Sequence, residues 1–186
     1  MFRSGIKRPV LLGAVCALML AGASGYSAPV VTANGFLVKF EVSVNAPPAK
    51  VYDALVGQVS SWWNPAHTYS GDAKNLSIEA RPGGCFCEKL PNGGAIEHLR
   101  VIYVAPREAV RLAGALGPLQ ASGVAGSMTW KLIGTGDNTR VQVSYSVGGF
   151  IESAFDKVAP AVESVLREQF DRLKLFVETG KPTKSQ

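Results

Sequence analysis

Three groups of side chains in this 186-residue sequence have types and spacings that bear chemistry. The first is Cys85 and Cys87 with His98 downstream. Two thiols and an imidazole suit zinc or copper. The set is one ligand short of a closed zinc site unless His67 or Asp72 reaches over from the preceding loop. Residues i and i+2 on an extended strand lie about 6.6 Å apart, at roughly 3.3 Å per residue. Disulfide Cβ atoms must approach to ~3.8 Å. A Cys85–Cys87 bond therefore needs a distorted strand, and two separate, half-buried thiols are the expectation, with no metal and no cofactor assigned.

The second group is a pair of carboxylates. If Asn92-Gly93 makes a two-residue hairpin turn, Pro91 pairs with Gly94, Glu88 with Glu97, Cys87 with His98, Phe86 with Leu99 and Cys85 with Arg100. Glu88 and Glu97 then share a face with Phe86, Leu99, Val101 and Tyr103. Two adjacent carboxylates in a dry site cannot both ionise easily, so one pKa rises and that group becomes a candidate acid or base. The plainer alternative, a solvated hairpin end beside Lys89 or an arginine, is the favoured one. A three-residue loop would shift the register and exchange the faces.

The third group is aromatic. Of the consecutive Trp62 and Trp63, one is expected in the core and the other at a cavity mouth or on the surface. Trp130 and Tyr145 sit on apolar strand faces, and Tyr145 carries a hydroxyl that needs a partner when buried. The sequence holds no Gly-x-Ser-x-Gly, His-Glu-x-x-His, phosphate loop or dinucleotide fingerprint.

The elements that must position these groups are legible from periodicity. Phe36–Val44 alternates as a half-buried strand. Pro47-Pro48 then suits a helix start, with Val51, Tyr52, Leu55 and Val56 at helical spacing. After a polar loop, 64–74, come short strands at 76–80, 85–90, 95–104, 109–113, 124–133 and 139–147. A small-residue loop, 114–123, separates two of them. The C-terminus switches to a 3.6-residue period, with an apolar stripe from Val158 to Val177 and a stop at Gly180. Strands followed by one long helix define an α+β domain: a curved antiparallel sheet of six to seven strands against the C-terminal helix.

Residues 1–23 read as a signal peptide. Arg3, Lys7 and Arg8 precede an apolar run, Val10–Leu20, and Ala21-Gly22-Ala23 is a cleavage signal. The run is far short of the ~20 residues a spanning helix needs. The expectation is a periplasmic or secreted protein without a stable membrane anchor after cleavage, with 24–35 a linker and 179–186 a tail. Hydrophobic residues make up 47% and charged residues 18% of the chain, the latter below the usual ~25%, which excludes a disordered protein. The net charge of +5 resides in the leader and the tail. Without Arg3, Lys7 and Arg8, and without Lys181 and Lys184, residues 36–178 carry 14 basic and 14 acidic groups. That balance removes the motive for a nucleic-acid partner, and nothing in the sequence specifies an oligomeric state.

Several motifs occur together and in order: Val44-Asn45-Ala46-Pro47-Pro48, then Val51-Tyr52-Asp53-Ala54-Leu55, then Trp62-Trp63. Arg81-Pro82-Gly83-Gly84-Cys85-Phe86-Cys87-Glu88 and Gly136-Asp137-Asn138-Thr139-Arg140 follow, before the terminal helix. This order resembles the START-like or SRPBCC superfamily. More narrowly it resembles the polyketide cyclase-like branch named for the activator of the heat-shock chaperone ATPase. The resemblance covers residues 36–178 and implies the helix-grip fold, with a cavity between sheet and helix that in relatives holds apolar molecules. It supplies no catalytic set, and an exported chain departs from a cytosolic chaperone partner.

The leading expectation is an exported START-like domain that binds a small apolar ligand. Phe86, Leu99, Val101, Trp130, Tyr145 and Phe150 would form the wall, Trp62 or Trp63 the mouth, and Glu88 or Tyr145 would orient a polar end. A cyclase or dehydratase using Glu88, Glu97 and Tyr145 is the enzymatic alternative. A periplasmic protein-interaction domain using Trp62-Trp63 and the 114–123 loop is the third.

Overall fold

The structure is a computed structural model and describes residue 1 and residues 28–184. Apart from Met1, the expected signal segment lies outside the described residues.

The alternating segment after Gly35 forms β2 (Gly35–Val44), with its apolar positions buried and its polar positions exposed. A short β1 (Val30–Thr32) precedes it and pairs antiparallel with it, so part of the expected linker is strand. Pro48 opens α1 (Pro48–Gly57), and the turn α2 (Val59–Trp62) follows. Then come β3 (Leu76–Ile78), β4 (Cys85–Lys89), β5 (Ala95–Ala105), β6 (Ala109–Ala113), β7 (Gly123–Thr135) and β8 (Asn138–Phe150). The chain closes with α3 (Phe155–Thr179). The sheet is antiparallel in the order β1-β2-β8-β7-β6-β5-β4-β3. It therefore has eight strands rather than six or seven, and β1 is the strand that alternation could not reveal in three exposed residues.

One face of the sheet carries α3. The ring of Phe170 lies 5.8 Å from Phe40, 5.8 Å from Trp130 and 6.2 Å from Trp62, so one helix residue ties β2, β7 and α2 together. Truncating such a buried ring to alanine costs about 3–5 kcal/mol. Gly180 ends α3 in the left-handed region at φ 77°, donating its N–H to the Phe176 carbonyl. Near the other end, Pro160 removes one backbone donor from the second turn. This N-terminal half of α3 stands over a cavity, whereas its C-terminal half buries Phe170, Leu173 and Val177. Among the described residues no helix is long and apolar enough to cross a membrane.

Trp62 and Trp63 are both buried, Trp62 in the core and Trp63 against a cavity, so neither takes the surface position that the sequence left open for one of them. The helix ends between them: Trp63 is extended at φ −64°, ψ 142°. Two consecutive side chains can thus turn inward. Trp62 donates to the Ala54 carbonyl at 2.9 Å and Trp63 to the His67 carbonyl at 3.0 Å. Helix α3 clamps this segment, because Arg172 Nε donates to the Trp62 carbonyl and Gln169 accepts from the Asn64 N–H.

Candidate functional site

The site is built by an irregularity in one hairpin. The β4–β5 loop is Pro91-Asn92-Gly93, with Asn92 at φ 63° and Gly93 at φ 82°, closed by the Leu90 N–H on the Gly94 carbonyl. It has three residues, not two. Lys89 therefore pairs with Ala95, Glu88 with Ile96 and Cys87 with Glu97. Beyond that point Phe86 pairs with Leu99 and Cys85 with Arg100, as a two-residue turn would give. A bulge at His98 absorbs the extra residue.

The bulge decides every side-chain grouping expected here. Glu97 is turned outward onto Arg100, so the Glu88/Glu97 pair does not exist and cannot serve as an acid–base couple. His98 is turned inward beside Leu99, both buried, so it is separated from Cys85 and Cys87 on the opposite side of β4. The two cysteines form a disulfide with Cα atoms 5.3 Å apart, shorter than a regular strand allows, which corrects the expectation of separate thiols. Among the described residues no cluster of three or more His, Cys, Asp or Glu could hold a metal ion.

Inside, His98 Nε2 meets Glu88 Oε2 at 3.0 Å, with exposures of 5% and 0%. The Glu88 carboxylate also accepts the N–H groups of Tyr69 at 3.1 Å and Ser70 at 2.5 Å. Burial opposes its charge, but the bonds from Ser70, Tyr69 and His98 outweigh burial and hold its carboxyl below the usual carboxylate range. Burial pushes the His98 imidazole down, against a smaller upward pull from Glu88. The pair is therefore a carboxylate and a neutral imidazole. His98 Nδ1 is buried and has no hydrogen-bond partner.

His98 is in the wall of a cavity of about 410 Å³ between the sheet and α3. The helix contributes Val158, Ala161, Val162, Val165 and Leu166. The sheet contributes Leu76, Phe86 and His98, and the loop after α2 contributes Trp63 and Ala66–Tyr69. Leu116–Leu119 close the far side. At the rim His67 Nε2 lies 3.0 Å from Glu168 Oε2, and Asn64 donates to the other oxygen of the same carboxylate.

Of the residues expected to line a ligand site, the structure brings Trp63 and Phe86 to this cavity, with Glu88 directly behind His98. Trp62, Leu99, Val101 and Trp130 are packed in the core instead. Phe150 is 74% exposed at the end of β8 and walls nothing. Tyr145 is buried, but its hydroxyl accepts from the Leu116 N–H at 2.9 Å and donates to the Gly114 carbonyl at 3.1 Å. It orients the loop that closes the cavity rather than a group inside it. Gly126 makes this possible: a Cβ there would stand 2.7 Å from the Tyr145 ring and 2.9 Å from the Gly114 oxygen. Sequence reasoning named His98 and His67 only as possible metal ligands and the 114–123 loop only as a contact surface, and it did not single out Tyr69. The signal for the loop was Gly117-Pro118 among small and apolar residues.

Fold and cavity together define a helix-grip domain of the SRPBCC type. Residues 36–178 match the family described as "Polyketide cyclase / dehydrase and lipid transport", and the chain belongs to that family. Solved structures share the fold at low identity. DynU16, from the dynemicin biosynthetic locus, is 21% identical with a TM-score of 0.56 over 80% of this chain. The match spans only 49% of the DynU16 chain, about half its length. CalU16 from Micromonospora echinospora is 14% identical over 87% of each chain, with a TM-score of 0.54. The Aha1 dimer from Colwellia psychrerythraea is 20% identical over 78% of this chain and 98% of its own, with a TM-score of 0.57. A comparison with the curated proteins finds no match.

Proposed function

We propose that this chain is an exported domain that binds a small apolar molecule in the cavity between β4, β5 and α3. The observation that carries this reading is the cavity itself. Its volume of about 410 Å³ lies in the size range of small-molecule sites, and its wall is mostly aliphatic and aromatic. A core that served stability alone would close such a space, since cavities left by missing side chains are destabilising. The family's description, which includes lipid transport, supports the same reading. Export is supported by the basic residues, apolar run and Ala-Gly-Ala of the first 23 residues.

Two measurements test it. Native mass spectrometry of protein recovered from the periplasm is expected to show a bound small molecule, or uptake of an apolar probe such as naphthalene. Protein that stays empty with every apolar probe would sink the reading. N-terminal sequencing is expected to begin after Ala23; an intact Met1 in the periplasmic fraction, or no periplasmic protein, would sink the export part.

A further inference from the structure

His98 presents an atom that the fold leaves unused. Three N–H donors converge on Glu88: Tyr69 N, Ser70 N and His98 Nε2. An ionised carboxylate is acceptor-only, so the proton of the neutral imidazole must sit on Nε2. Nδ1 is then a bare lone pair, buried, without a partner, on a ring that walls the cavity. Of the other polar side chains of the wall, Tyr69 is 54% exposed, whereas His67 and Thr68 are already engaged. His67 bonds Glu168, and the Thr68 hydroxyl donates to the Pro65 carbonyl. The surroundings of His98 are aromatic, with Phe86 at 5.3 Å and Tyr69 at 6.0 Å between ring centres.

We propose that the cavity selects apolar ligands bearing a hydroxyl at their buried end, and that this hydroxyl donates to His98 Nδ1. The selection rests on the reading that the cavity is a ligand site, and it narrows that reading to one chemical class. An ether or carbonyl of the same shape offers only lone pairs and would face the lone pair of Nδ1. A carboxylate would add a second negative charge beside Glu88. Glu88 acts as the positioning residue, because it fixes the tautomer that makes Nδ1 an acceptor.

Matched probes test this: 1-naphthol, 1-methoxynaphthalene and naphthalene, titrated at pH 8 with tryptophan fluorescence as the readout. Wild-type protein is expected to bind 1-naphthol about tenfold more tightly than 1-methoxynaphthalene, the size of effect when a polar site rejects an analogue that cannot pair. In His98→Phe that gap is expected to vanish while naphthalene still binds. Should His98→Phe not fold, ¹⁵N NMR of the wild-type imidazole is the second measurement. It is expected to show the proton on Nε2 and a shift at Nδ1 on adding 1-naphthol. Equal binding of 1-naphthol and 1-methoxynaphthalene, or a proton found on Nδ1, would overturn the proposal and leave the ligand-site reading standing. Failure of all three probes to bind folded protein would overturn both.

Discussion

Glu88 and His98 are held 3.0 Å apart inside the protein because β5 has one residue more than β4 needs. The bulge that takes up this residue turns His98 onto the same side as Glu88, and Glu88 in turn receives the backbone of Tyr69 and Ser70. One carboxylate thus joins a sheet, an imidazole and the loop that forms one wall of the cavity.

Glu88→Gln is expected to destabilise the protein by about 2–3 kcal/mol, the scale of hydrogen bonds to a charged group. A neutral amide accepts on one oxygen only, so one of the three donors loses its partner. Urea denaturation with an unchanged m-value would measure this. A loss below about 0.5 kcal/mol, the level of ordinary surface changes, would mean that water replaces the carboxylate without cost.

The same pair sets an acid response. His98 titrates lower in the folded protein than in the unfolded chain. Its contribution is complete above the unfolded value of about 6.5 and is lost as pH falls toward the folded value. Glu88 and Glu168, also lowered, add losses that begin below about 4.3. Asp171, raised by burial, has the opposite sign, losing stability as pH rises from about 3.9. The wild type is therefore expected to lose stability between pH 7 and pH 5, and His98→Gln to show a flatter profile there. Parallel profiles of melting temperature against pH would refute this.

The same bulge marks where sequence reading stopped. Alternation in Phe36–Val44 and in Thr139–Val147 located β2 and β8, because each has one face in the core and one in water. The stripe from Val158 to Val177 located α3 for the same reason. A bulge carries no such mark: Ile96-Glu97-His98-Leu99 reads as an ordinary strand, and the inserted residue shows only when the partner strand is counted against it. Asn92-Gly93 suggested a two-residue turn, and one added loop residue moved Glu97 out and His98 in. The cavity wall from 66–69 and 116–119 was illegible for a different reason. Loops are placed by tertiary hydrogen bonds, such as those of Tyr69 and Leu116, and these have no period.

Val162 tests the cavity from the helix side. It is half-buried on α3 and lines the space without packing into the tight half of the helix. Val162→Phe is expected to fill part of the cavity and weaken naphthalene binding about tenfold or more. Stability should change by less than about 1.5 kcal/mol, because the added atoms enter empty space and not a filled core. Tryptophan fluorescence titration alongside urea denaturation separates the two effects. Unchanged affinity would place the ligand elsewhere.

Tyr145 tests how the cavity is closed. Its hydroxyl takes the Leu116 N–H and gives to the Gly114 carbonyl, both in the segment that ends with the wall residues Leu116–Leu119. Tyr145→Phe leaves these two backbone groups without their partner, at a cost of about 1–3 kcal/mol. Hydrogen exchange at the Leu116 amide is expected to accelerate more than exchange in β2, since a local bond is lost and the sheet is not. Burial pushes the Tyr145 phenol up to about 12, partly offset by the Leu116 bond. Its stabilising contribution is therefore complete below the unfolded value of about 10 and disappears as pH rises toward about 12. The alkaline loss of stability should shrink in Tyr145→Phe but not vanish, because burial and Asp53 also raise Tyr52. If the Leu116 amide exchanged no faster in the variant, water would be serving in place of the phenol, and Tyr145 would not be what holds the wall in place.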